Sequence, residues 1–167
     1  MRCRKPNRLP GYDYSLPGYY YVTICVQDRL PLLARAVNGI ILVNEYGKIV
    51  KHQWLYLAER YNYITLDEFV VMPDHVHGIV VINEPIVGAG RDLPLHDVYK
   101  IKPLHEIIGA LKTTSSKQIH TAGCVEFKWQ RSFYDRIIRD DKELYFIRNY
   151  IRNNPSRYIL SSNEGKE

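Results

Sequence analysis

No run in the sequence approaches the roughly 18 consecutive apolar residues that a membrane-spanning helix needs, which argues against a transmembrane segment. The basic start, Met1 to Pro6, is followed by no apolar h-region, so a secretory signal is not expected. Cysteine is scarce as well. Cys3, Cys25 and Cys124 are odd in number, widely spaced and without a CxxC pair. That excludes the usual disulfide framework or structural zinc site and fits a reducing, cytoplasmic setting. Internal repeats are missing, and so is any linker that would split the chain into parts.

What remains is a chain with the mixture of a globular protein, 46% hydrophobic and 25% charged. Its 167 residues suit one domain with a proper core. The net charge of +5 is unevenly spread. Arg2, Arg4, Lys5 and Arg8 stand together without an acid. Lys128, Arg131, Arg136, Arg139, Lys142, Arg148, Arg152 and Arg157 form a second basic region around Asp135, Asp140, Asp141 and Glu143. Clustered Lys and Arg are the footprint of phosphate binding, although the same charges also suit a solvated surface. There are 14 tyrosines, several beside basic residues, a pairing suited to single-stranded nucleic acid.

Patterning gives the order of elements. Residues 1–18, rich in Pro, Gly and Arg, read as an extended basic arm. Tyr19 to Gln27 is β-branched and aromatic, a central strand. Leu30 to Val43 carries no decisive pattern. Asn44 is placed to cap a helix running to about Tyr61, with Val50, Trp54 and Leu57 on one stripe. Tyr63 to Met72 and His75 to Ile82 read as two strands of a hairpin turning at Pro73-Asp74. Asn83 to Pro103 reads as a loop, and Leu104 to about Ile119 as an amphipathic helix. Val125 to Ile138 holds a short aromatic strand. Asp140-Asp141 open a last helix running to about Asn153, where Pro155 is expected to end it. The sum is an α+β domain over residues 1–167: an antiparallel sheet with helices packed on one face.

Two local patterns carry chemistry. In a strand, His75 and His77 point to one face and Val76 to the other, so two imidazoles project together. They suit one divalent cation, or they are strand histidines hydrogen-bonded at the sheet surface. On the last helix Leu144, Ile147 and Ile151 form the core stripe, and Tyr150 and Asn154 lie together at its margin. A margin tyrosine with its hydroxyl in water and a helix-end Asn acting as a cap would look the same. Trp129, Phe133 and Tyr134 suit either base stacking or the core.

The run Val70-Val71-Met72-Pro73-Asp74-His75-Val76-His77-Gly78-Ile79 resembles the His-hydrophobic-His motif of the single-tyrosine HUH transposases, and most of all the REP-associated tyrosine transposases. Leu9-Pro10-Gly11-Tyr12-Asp13-Tyr14, Tyr20-Tyr21-Val22-Thr23-Ile24, Trp129-Gln130-Arg131-Ser132-Phe133-Tyr134-Asp135 and Tyr150-Ile151-Arg152-Asn153-Asn154-Pro155 continue the likeness in family order. The resemblance implies a ferredoxin-like, RRM-like HUH fold with a C-terminal catalytic helix. It implies Tyr150 as nucleophile, and His75, His77 and Asn154 as ligands of a divalent cation, Mg²⁺ or Mn²⁺. The expected activity is nicking and strand transfer on single-stranded or hairpin DNA through a 5′-phosphotyrosine. Phosphate contacts are expected from Arg2, Arg4, Lys5, Arg8, Lys112, Lys117, Arg131, Arg148 and Arg152. A homodimer sharing its last helices is an open arrangement. The competing readings are a DNA-binding protein of the same fold without catalysis, and a metal phosphodiesterase using activated water.

Overall fold

The structure, a computed structural model, describes residues 9–84 and 101–164. Elements follow the order β1 (Gly18–Cys25), β2 (Ala34–Val37), β3 (Ile40–Val43), α1 (Glu45–Arg60), β4 (Ile64–Val71), β5 (His75–Ile82), α2 (Leu104–Thr121), β6 (Tyr134–Ile138) and α3 (Asp141–Glu164). The main sheet runs β4-β5-β1-β6, with every described pairing antiparallel. Setting aside the small β2–β3 hairpin, the chain reads βαββαβ with its first and third strands central. That is the ferredoxin-like arrangement.

Alternation along β5 splits the molecule into two cores. Val76, Val80 and Ile82 face a large cluster with Val22, Ile24, Val50, Trp54, Ile107, Ile108 and Leu111, so α1 and α2 cover one face. Gly78 belongs to the same face because a Cβ there would lie 2.3 Å from the Trp54 ring. Ile79 and Val81 face a smaller cluster with Tyr21, Ile138, Leu144 and Ile151, so α3 covers the other face.

Several local expectations are met. The Asn44 side chain accepts a hydrogen bond from the Gly47 amide at the start of α1. The Asp140 carboxylate accepts from the Glu143 amide, capping α3. Trp129 and Phe133 are buried in the large core, with Trp129 Nε1 donating to Ser115 Oγ, whereas Tyr134 is half exposed.

Three expectations are corrected. The unassigned stretch before α1 contains the β2–β3 hairpin, turned at Asn38-Gly39 with φ of 48° and 78°. Two left-handed residues in that order make the tight turn whose twist matches the flanking strands. The extended arm does not reach residue 18: Tyr14 is buried in the large core, and its hydroxyl accepts from the Leu9 amide. Pro155 does not end α3, which continues to Glu164. Pro155, Ser156 and Ile159 line a groove against Ile41 and Val43 of β3 and Val70 and Val71 of β4, so tertiary packing outweighs the local preference.

Candidate active site

β5 lies between β1 and β4, and its His75 and His77 share the face of Ile79 and Val81, which α3 covers. His75 and His77 are 6% and 5% exposed, their ring centroids are 4.4 Å apart, and their Nε2 atoms lie 3.0 Å apart. These are buried side chains under a helix and not surface histidines. Asp74 fixes the first ring: its Oδ1 lies 2.5 Å from His75 Nδ1, and its Oδ2 is 2.8 Å from Arg29 Nε. Burial alone would raise the Asp74 carboxyl, but the hydrogen bond with His75 and the charges of His75 and Arg29 outweigh it and lower it. A carboxylate accepts from Nδ1–H, so Asp74 fixes the ring of His75 with its Nε2 facing His77.

His77 is set from the neighbouring strand. Its Nδ1 lies 2.8 Å from both Tyr21 Oη and Thr23 Oγ1, two same-face residues of β1. Burial, then the positive charges of His75 and Arg29, push the His77 imidazole down to about 3, against a smaller opposing effect of Asp74. His77 is therefore neutral at physiological pH, the form in which a ring nitrogen coordinates a cation. Burial raises the Tyr21 phenol well above its ordinary value, so this tyrosine stays protonated.

α3 brings the last pieces. Tyr150 is 38% exposed, with its ring centroid 5.3 Å from that of His77 and 6.3 Å from that of Tyr21. The Arg157 guanidinium sits 5.8 Å from the same ring. One turn on, Asn154 is buried, and among the described residues its carboxamide has no hydrogen-bond partner. Tyr150 and the histidine pair thus meet within one chain. Among the described residues no group of three or more His, Cys, Asp or Glu gathers as a metal cluster, so a third protein donor beside the imidazoles would be a neutral oxygen, such as that of a carboxamide or a hydroxyl. Two further tyrosines stand on α3: Tyr145, 64% exposed, and Tyr158, beyond Pro155.

The expected phosphate contacts divide. Arg2, Arg4, Lys5 and Arg8 lie outside the described residues. Lys112 is half-buried and donates to the carbonyls of Gln130 and Arg131, and burial lowers its ammonium from the ordinary value. Lys117 and Arg131 are exposed, and Arg131 shares a shallow groove with Lys112 and Lys128. Arg148 pairs with Asp67, and Arg152 with Glu68. Asp74, Arg29, Tyr21 and Thr23 were not singled out from the sequence. Asp74 adjoins His75, but the role of the other three depends on the β1–β5 register, which local patterning does not contain.

No protein-family model matches the chain. An uncharacterized protein of Haemophilus influenzae is 33% identical to it over 159 residues, 91% of this chain and 88% of that protein. A second protein of the same organism, named as a candidate REP-associated tyrosine transposase, is 27% identical over 87% of this chain and 74% of its own length. Among solved structures, a REP-associated tyrosine transposase bound to a REP hairpin superposes with a TM-score of 0.60 at 18% identity, covering 90% of this chain and 73% of that one. A candidate transposase from Deinococcus radiodurans gives 0.50 at 20% identity, covering 87% and 95%. These two likenesses establish a shared fold.

Proposed function

We propose, from the premise that this chain belongs to the REP-associated tyrosine transposase family, that it nicks and rejoins single-stranded or hairpin DNA with Tyr150 as nucleophile. The observation that carries the reading is the half-exposed Tyr150 ring packed 5.3 Å from the buried His77 in the same chain. A buried phenol would be closed to a DNA strand, and one remote from polar groups would have nothing to activate it.

The Tyr150 Oη attacks a backbone phosphorus. The new O–P bond replaces the P–O3′ bond, and the displaced 3′-oxygen ends as a hydroxyl carrying the proton that the phenol gave up. One phosphoester bond is exchanged for another, so a second 3′-hydroxyl can reverse the step on a different strand without ATP. An unperturbed tyrosine titrates near 10, so the reaction needs help in drawing off the proton. Two convergent imidazoles and the unpartnered amide of Asn154 suit a divalent cation, Mg²⁺ or Mn²⁺, which when bound polarises the scissile phosphate. The chain's own residues do the holding: Asp74 and Arg29 orient His75, and Tyr21 and Thr23 orient His77. Arg131 and Lys117 are exposed, which supports assigning them to phosphate contacts.

Incubation with an end-labelled hairpin oligonucleotide and Mn²⁺ tests this. A covalent protein–DNA adduct is expected, absent with Tyr150→Phe and suppressed by chelation. An adduct that persists in Tyr150→Phe refutes the assignment. Free 5′-phosphate product without an adduct would favour hydrolysis by water at the histidine pair.

A further inference from the structure

β4 is an edge strand, and its pairing with β5 slips in the middle. Leu66 pairs with Val80 and Phe69 with Gly78, so three steps on β4 match two on β5 and one residue is inserted. Leu66 and Phe69 both pack on the large core, although strict alternation would send them to opposite faces. The bulge therefore releases both intervening residues, Asp67 and Glu68, toward α3. Arg148 grips Asp67 with both ends of its fork, Nε to Oδ1 at 2.9 Å and Nη2 to Oδ2 at 2.5 Å. Arg152 donates to Glu68 Oε1 through Nε, at 2.9 Å, and through Nη2.

Arg148 and Arg152 are four residues apart on one side of α3, and Tyr150, two residues from each, projects from the opposite side of the same helix. The apolar anchorage of this half of the helix is slight: Leu144 and Ile151 are buried, with Ile147 partly so. Such a stripe leaves rotation and sliding poorly determined, whereas planar two-point contacts fix both. One residue of rotation turns a side chain by about 100°, and one turn of sliding moves it about 5.4 Å. Either would separate Tyr150 from His77.

We infer that Arg148 and Arg152 are positioning residues that clamp α3 to the β4 bulge through Asp67 and Glu68, holding Tyr150 in register with His77. Their charges are answered by carboxylates and are not offered to DNA. The inference rests on Tyr150 being the nucleophile, but the clamp has a readout of its own.

The test uses the full chain, a labelled hairpin oligonucleotide with Mn²⁺, and amide hydrogen exchange. The variants are Arg148→Ala with Arg152→Ala, and the exchanged pair Asp67→Arg with Arg148→Asp. For the double alanine variant, the limiting rate of adduct formation at saturating DNA is expected to fall by about tenfold to a hundredfold. Half-saturation and its salt dependence should stay within about twofold, because phosphate contacts are not removed. Exchange across residues 144–154 should quicken while the β1 and β5 amides, which report the intact fold, stay protected. The exchanged pair should recover both the rate and the protection. The clamp is overturned if the double alanine variant keeps its limiting rate but binds DNA more weakly with a shallower salt slope. It is equally overturned if exchange on α3 is unchanged, or if the exchanged pair is no better than the alanines. Should the wild type form no adduct while α3 exchange still responds as described, the nucleophile reading fails and the clamp stands.

Discussion

The two faces of one sheet are built to different standards. The face under α1 and α2 is dry and wide: Tyr20, Val22, Ile24, Trp54, Ile107, Ile108 and Phe127 are fully buried there. The face under α3 gathers a short apolar cluster and then gives its remaining room to His75, His77 and Asn154, all buried and polar. One strand serves both: β5 is buried along its whole length, with Val76, Val80 and Ile82 to one side and the two imidazoles, Ile79 and Val81 to the other. The contrast teaches that stability and chemistry are separated by strand parity. The α3 face forgoes apolar area, and ion pairs from the β4 bulge hold the helix instead.

If that division is right, the largest loss of stability comes from the dry face. Trp54→Ala removes a fully buried indole stacked on Phe69, and the urea midpoint should drop by the equivalent of about 3–5 kcal/mol. Ile151→Ala, on the α3 face, is expected to cost about 2 kcal/mol in the same measurement, at the low end for a buried isoleucine. Adduct formation should fall further than this loss of stability accounts for. Equal costs at the two positions would remove the comparison.

The smallest effect tests the clamp by pH. The hydrogen bond from Arg148 holds the Asp67 carboxyl below its ordinary value, with burial opposing. A carboxyl lowered on folding stabilises above its unfolded value near 4, and that contribution is lost as the pH falls through the folded value. Between about pH 5 and pH 2 the wild type should therefore lose about 1 kcal/mol more than Asp67→Asn loses. Parallel acid profiles would show that the pair contributes nothing.

Much of this was legible in the sequence, for physical reasons that can be named. Period-two alternation is enough to put His75 and His77 on one face, and the Asn44 cap and the Val50-Trp54-Leu57 stripe are sufficient to place α1. The β2–β3 hairpin is legible too, since Asn38-Gly39 between apolar pairs is a strong turn signal. Other features were out of reach. Which hydroxyls meet His77 depends on β1 lying beside β5 in a given register, and the direction of Asp67 and Glu68 depends on one inserted residue. Continuation of α3 through Pro155 is set by β3 and β4, far away in the chain.

The central claim is that the α3 face presents Tyr150 for covalent attack on DNA. It is tested most directly by trapping the wild-type protein on a hairpin oligonucleotide with Mn²⁺, digesting both components and locating the residual nucleotide by mass spectrometry. The nucleotide is expected on Tyr150, through a 5′-phosphate. Its attachment to Tyr145 or Tyr158, or its absence from every tyrosine while the DNA is nevertheless cut, would contradict the account.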